Sequence, residues 1–173
     1  GRVLLTDIYH NPLIEGNLRI DGFSILQSEY GDFSLISAWN NERKVAEIRA
    51  DNDLNGEKMV DISGFYNPEL KRLDLTARAD KLPVGAMNPL LSSFASGITG
   101  FATGKVNLSG EIDKLDLKGA LMVENTLMKI DYLQTRYRIN DSIRFGRNDI
   151  ILKNVRLVDD LGNTAVLNGS VNH

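Results

Sequence analysis

Apolar and polar residues alternate with a period of two through most of this chain, and that pattern fixes its fold class. Ala46, Ile48 and Ala50 alternate with Glu47, Arg49 and Asp51, and Leu73, Leu75, Ala77 and Ala79 with Asp74, Thr76, Arg78 and Asp80. The same phase runs through Val106, Leu108 and Ile112, through Leu115, Leu117, Leu121 and Val123, and through Leu133, Tyr137 and Ile139. Successive side chains of a strand point to opposite faces, so each segment reads as a strand with one apolar and one wet face. Strands of that kind build antiparallel sheets open to water on one side.

Turn chemistry agrees. Asn55-Gly56 is a hairpin signal, because both central residues of a type I′ turn need positive φ. Tyr30-Gly31-Asp32, Asn67-Pro68-Glu69, Asn140-Asp141 and Asp160-Leu161-Gly162-Asn163 read as further turns. A second pattern, apolar-x-apolar-x-Gly, recurs at Leu18-Ile20-Gly22, Val60-Ile62-Gly64, Val106-Leu108-Gly110, Leu115-Leu117-Gly119 and Ala165-Leu167-Gly169. The glycine falls on the apolar phase, where it either ends a strand or permits coiling and space on the concave face. The copies are unevenly spaced, which excludes a strict solenoid.

One stretch breaks the alternation. The 23 residues from Leu82 to Gly104 carry no charge. Asn88 suits a helix cap, Pro89 the first helical position and Gly97 the end, so a short helix is expected over about 89–96. Two prolines, four glycines and five Ser/Thr make the stretch a poor membrane span. It is expected to pack over the apolar face or a sheet edge.

Composition removes several function classes. The formal net charge is −3 and no Lys/Arg run exceeds two residues, which argues against a nucleic-acid surface. There is no cysteine, so disulfides, thiolate metal sites and cysteine nucleophiles are excluded. The only histidines are His10 and His173, which leaves little for a histidine triad or zinc site. Asp51-Asn52-Asp53-Leu54-Asn55-Gly56 imitates the start of a calcium loop, but its twelfth position is Ile62 rather than Glu, and a hairpin explains it better. Asp159 and Asp160 are neighbours on opposite faces of a strand and cannot share one substrate atom. Tyr132, Tyr137 and Arg138 suggest cross-strand packing. No P-loop, GxSxG or HExxH is present. The chain opens at Gly1-Arg2 and closes on alternating residues, and is expected to be one segment, 1–173, of a larger β-groove protein.

The C-terminal half resembles the C-terminal region of TamB-like envelope proteins of Gram-negative bacteria. The resemblance rests on Pro83-x-Gly85, Pro89-Leu90-Leu91, the run from Gly100 to Gly110 (GFATGKVNLSG), Leu115-Asp116-Leu117-Lys118-Gly119, Asn125, Ile130-Asp131-Tyr132-Leu133 and the run from Asp160 to Gly169. It covers the chain from about Leu70 onward, and the order of these words gives it weight. It implies a curved β-sheet with a hydrophobic groove, often described as a β-taco or half-pipe. It also implies a periplasmic location, attachment to the inner membrane through a segment outside this chain, and lipid transport toward the outer membrane. A BamA-like outer-membrane barrel is the partner it implies, and it carries no catalytic residues.

The expectation is therefore an all-β, curved, mostly antiparallel sheet with one short helix, a non-catalytic protein without cofactor or nucleic-acid partner. Leu73, Leu75, Val106, Leu108, Ile112, Leu115, Leu117, Leu121, Val123 and Leu167 are expected to line a trough that holds phospholipid acyl chains, each buried methylene contributing about 0.8 kcal/mol. The alternative function is a scaffold that assists outer-membrane protein assembly by strand pairing. A carbohydrate-active β-protein and a closed sandwich are the other rivals. Free edges in such a sheet are expected to favour edge-strand dimers.

Overall fold

The computed structural model describes residues 2–6, 13–25, 28–88, 92, 95–147 and 149–172. They form one antiparallel meander of β1 (Arg2–Thr6), β2 (Leu13–Ile25), β3 (Ser28–Asn40), β4 (Val45–Asp53), β5 (Val60–Asn67), β6 (Arg72–Pro83), β7 (Ala95–Glu111), β8 (Lys114–Ile130), β9 (Thr135–Phe145), β10 (Asp149–Asp159) and β11 (Thr164–Asn172). Among the described residues each strand pairs only with its neighbours in sequence, so β1 and β11 are the outermost strands and the curved sheet is not closed. All-β architecture is as the alternation predicts.

Several elements differ from the sequence reading. The helix expected at 89–96 lies mostly outside the described residues; Ala95 and Ser96, at its end, already belong to β7. Just ahead of it the chain makes a 3-10 turn over Val84–Met87. Tyr30-Gly31-Asp32 and Asn140-Asp141 are not loops but lie inside β3 and β9. Ile112 is a turn residue, 53% exposed and just past the end of β7, so it does not continue the wall of Val106 and Leu108. Leu133 likewise sits in the β8–β9 turn, and Tyr132 beside it is 93% exposed and packs across no strand. Asn55 (φ 56) and Gly56 (φ 87) make the expected hairpin tip, with Gly56 N–H donating to Asp53 Oδ1 at 2.7 Å.

The packed core lies toward one end of the strands. Val84, Ala95, Ile98 and Ala102 are buried together, with Leu121, Val123, Met128 and Ile130 against them. Ile139, Val155 and Leu157 form a second cluster that shares Val123 and Met128 with the first. Val84 of the 3-10 turn is the member of this cluster that lies outside the strands, and it packs on β7 and β8 there. Asn88 fastens it: its amide donates to the Gly85 and Ile98 carbonyls and accepts the Ile98 N–H, all at 2.8 Å.

Candidate functional site

Register aligns the apolar residues of successive strands into rows that run across the sheet. One row takes a residue from each of β2 to β10: Leu18, Leu35, Ala50, Ile62, Ala77, Val106, Gly119, Phe145 and Ile150. Two positions along, a parallel row passes through Ile48, Gly64, Leu75, Leu108 and Leu117. A third passes through Trp39, Ala46, Tyr66, Leu73, Gly110 and Leu115. None of these positions carries a charge. Cross-strand pairs are the unit of sheet stabilisation, so each row is both a structural seam and a continuous greasy strip.

Most of this wall is only half-buried. Leu18 is 38% exposed, and Leu73, Leu75, Val106, Leu108, Leu115 and Leu117 are intermediate, whereas Ala46 and Ala50 are buried. Nothing among the described residues lies over these rows as Val84 of the 3-10 turn lies over the other end.

The two ends meet at a line of bulges. In β2, β6, β8 and β10 two residues oppose one on the following strand. The second of each pair is in the left-handed region: Gly22 (φ 63), Lys81 (φ 47), Asn125 (φ 49) and Asn154 (φ 56). The single opposing residue caps it every time. Gly22 N–H donates to Asp32 Oδ1 at 3.1 Å, Lys81 N–H to Thr103 Oγ1 at 3.0 Å, Asn125 N–H to Asn140 Oδ1 at 2.6 Å and Asn154 N–H to Asn168 Oδ1 at 2.8 Å. Each of these exposed N–H groups has lost its ladder partner, and the opposing polar side chain accepts it instead. The extra residue also resets the phase: Ile20 and Phe23, Ala79 and Leu82, Val123 and Thr126, and Leu152 and Val155 are three apart yet face the same side. Bulges add local twist and bend, which supports a curved rather than flat sheet.

The recurrent glycines split by role. Gly22 is a bulge residue. Gly119 (φ 143) sits in the long row, and a Cβ there would fall on the Lys105 carbonyl oxygen, so only glycine lets β7 and β8 approach there. Gly169 has no such constraint and open space around it.

Aromatic contacts close the β2–β3 corner. Phe23 stacks at 6.0 Å between ring centroids from both Tyr30 and Phe33, and Tyr30 Oη donates to the Pro83 carbonyl at 3.0 Å. That bond joins β3 to the end of β6 past the shorter β4–β5 hairpin. Asn52, buried at the end of β4, donates to the Tyr30 carbonyl and accepts the Met59 and Val60 N–H groups.

Of the trough residues expected from sequence, Leu73, Leu75, Val106, Leu108, Leu115 and Leu117 come together on the three rows. Leu121 and Val123 share that face but pack into the cluster of Val84, Ala95, Ile98 and Ala102. Leu167 pairs with Val155 beyond the bulges and is 37% exposed. The sequence reading missed Trp39, Tyr66, Phe145 and Ile150, and it missed the bulges; apolar residues three apart inside an alternating strand are the signal that finds them.

Acidic residues serve structure. Asp159 accepts the N–H groups of Leu161 and Asn163 and the Asn163 side-chain amide, closing the β10–β11 turn. The Asn163 amide, then the backbone N–H groups of the turn, hold its carboxyl below the ordinary aspartate range. Asp51 pairs with Lys58 at 2.7 Å across the hairpin that imitates a calcium loop. Among the described residues no group of three His, Asp or Glu is placed to hold a metal ion, and no helix is long and apolar enough to cross a membrane. Comparison with family models, curated proteins and solved structures found no match to this chain.

Proposed function

We propose that this chain is a non-catalytic segment of a TamB-like lipid conduit, whose half-bare apolar wall solvates phospholipid acyl chains between the inner and outer membranes. The observation that carries the reading is the set of three charge-free rows crossing an open, curved sheet, with side chains that the chain itself leaves half exposed. Extended apolar faces of this kind mark binding surfaces. The wall offers a headgroup no charged partner, so chains lie along it and headgroups stay in water. The wording shared with TamB-like proteins supports the periplasmic setting, an anchor outside this chain and a BamA-like barrel as partner.

Lipid extraction tests it. Purified protein is expected to retain phospholipid, and Leu108→Asn with Leu117→Asn to lose it while far-UV circular dichroism stays unchanged. Trp39, the one tryptophan, lies on the wall and should be quenched by phospholipid brominated in its chains. Unchanged lipid in a folded double variant would refute the reading.

A second reading, a scaffold for nascent outer-membrane strands, is favoured by one observation. Among the described residues β11 pairs only with β10, and residues 164–170 are exposed. Strand addition there would be blocked by a proline at an outward-facing N–H, and capture of unfolded barrel precursors would then fall.

A further inference from the structure

The face of the sheet opposite the wall is divided by charge. Met128, Tyr137, Ile139, Val155 and Leu157 pack inward, so the residues that alternate with them face outward. From Ala120 to the end of β10 six of the outward residues are cations: Lys129 on β8, Arg136, Arg138 and Arg144 on β9, and Lys153 and Arg156 on β10. All but Lys129 are exposed, and none makes an ion pair among the described residues. The outward acids over the same stretch are Glu124 and, at the start of β10, Asp149.

Register gives these cations no acidic neighbour. Lys129 stands between Ser96 and Arg136, Arg138 between Leu127 and Val158, Arg144 between Ala120 and Ile151, and Arg156 opposite Val166. Lys129 and Arg136 are like charges directly opposed, an arrangement that costs a sheet stability. The nearby acids are spent elsewhere: Asp131, in the adjoining turn, accepts the Ser96 hydroxyl at 2.6 Å, and Asp141 and Asp159 face inward and accept backbone N–H groups. Asp160 lies at the tip of the β10–β11 turn. Apolar side chains are set among the charges. Leu127 and Val158 flank Arg138, Val166 is exposed beside Arg156, and Met122 and Phe101 are exposed on the outward side of β8 and β7. Along the chain, residues 114–158 hold nine Lys/Arg against five Asp/Glu, a net +4; the whole has 20 against 23, so the remainder holds 11 against 18, a net −7.

We infer that the outward face of β8–β10 docks on an anionic phospholipid bilayer, its cations on headgroup phosphates and its exposed apolar side chains at the level of the headgroups. A polyanion in solution would satisfy the cations alone, whereas an anionic bilayer surface receives both kinds of side chain. It also relieves the repulsion between Lys129 and Arg136. The acidic remainder of the chain turns the protein so that this face meets the surface first. The docking face does not depend on the acyl-chain wall, which lies on the other side of the sheet.

Cosedimentation of the whole chain with vesicles at low ionic strength tests this. Vesicles of equimolar phosphatidylcholine and phosphatidylglycerol are expected to bind at least about ten-fold more tightly than phosphatidylcholine alone, and the preference should fade as salt is added. Arg136→Gln with Arg138→Gln should weaken binding to the anionic vesicles by about twenty-fold, roughly five-fold per cation. Folding should not suffer, because Arg136→Gln removes a repulsive pair. Arg49→Gln with Arg72→Gln, the same charge change at exposed positions on β4 and β6, should cost less than about three-fold. Equal losses in the two pairs, or equal binding to both kinds of vesicle, would overturn the docking face. An oligothymidylate that binds the unaltered chain more tightly than the anionic vesicles would make the face a nucleic-acid surface instead. Leu108→Asn with Leu117→Asn should leave vesicle binding unchanged; losing it there would assign the bilayer contact to the wall and overturn the proposal.

Discussion

Replacing leucine by alanine should cost far more on one side of the bulge line than on the other. Leu157 is 8% exposed, among Ile139 and Val155. Losing three carbons there forfeits about 2.4 kcal/mol of transfer free energy. The residual cavity raises the cost to about 3–4 kcal/mol, since neighbours on a paired sheet relax only in part. Leu18, in the long row, is 38% exposed. Its truncation loses roughly 60% of the transfer term and leaves a dent open to water rather than a void, for about 1–1.5 kcal/mol. Urea unfolding followed by Trp39 fluorescence and circular dichroism measures both. A difference near 2 kcal/mol is expected. Equal costs would mean that the wall is sealed by contacts like those of the core, and the division of the sheet into packed and open ends would be wrong.

Other perturbations address the devices that shape the sheet. Asn168→Ala leaves the Asn154 N–H without its cap and should destabilise by about 1 kcal/mol in urea unfolding, whereas Ser170→Ala, on the same strand outside any bulge, should be near neutral. Gly119→Val places a branched side chain at φ 143 against the Lys105 carbonyl, costing more than about 2 kcal/mol or abolishing folding, as read by circular dichroism. Asp159 contributes stability while ionised, because its folded pKa lies below its unfolded one. That contribution is fully present at neutral pH and disappears as pH falls below about 4. Asn163→Ala should therefore flatten the acid limb of a stability–pH curve and leave its neutral region parallel to wild type.

Much of this architecture is legible in the sequence because a one-faced strand leaves a strict two-residue signature. Leu73–Ala79 and Leu115–Val123 announce both their strand character and which residues share a face. Where legibility failed, the residues were doing turn chemistry inside strands. Gly31-Asp32 and Asn140-Asp141 have the composition of loops, yet Asp32 and Asn140 face bulges, and their side-chain oxygens accept the N–H groups of left-handed residues across the ladder. Local composition reports the need for such a residue but not whether the chain reverses there or only kinks. The wall's depth was also hidden: Trp39, Tyr66, Phe145 and Ile150 join it only through register with the adjacent strands, which no single strand's alternation gives. The register between β9 and β10 shifts by one residue beside the Asn154 bulge, where Asp141 of β9 accepts the Arg156 N–H.

A pair of single-cysteine variants tests the central claim most directly, since the chain has no cysteine of its own. Leu117→Cys lies on the wall and Lys118→Cys on the opposite face of the same strand. Each is labelled with a small fluorophore and titrated with phospholipid carrying a quencher deep in its acyl chain. The account predicts strong quenching at 117 and little at 118. Equal quenching at the two positions, or none at 117, would contradict it.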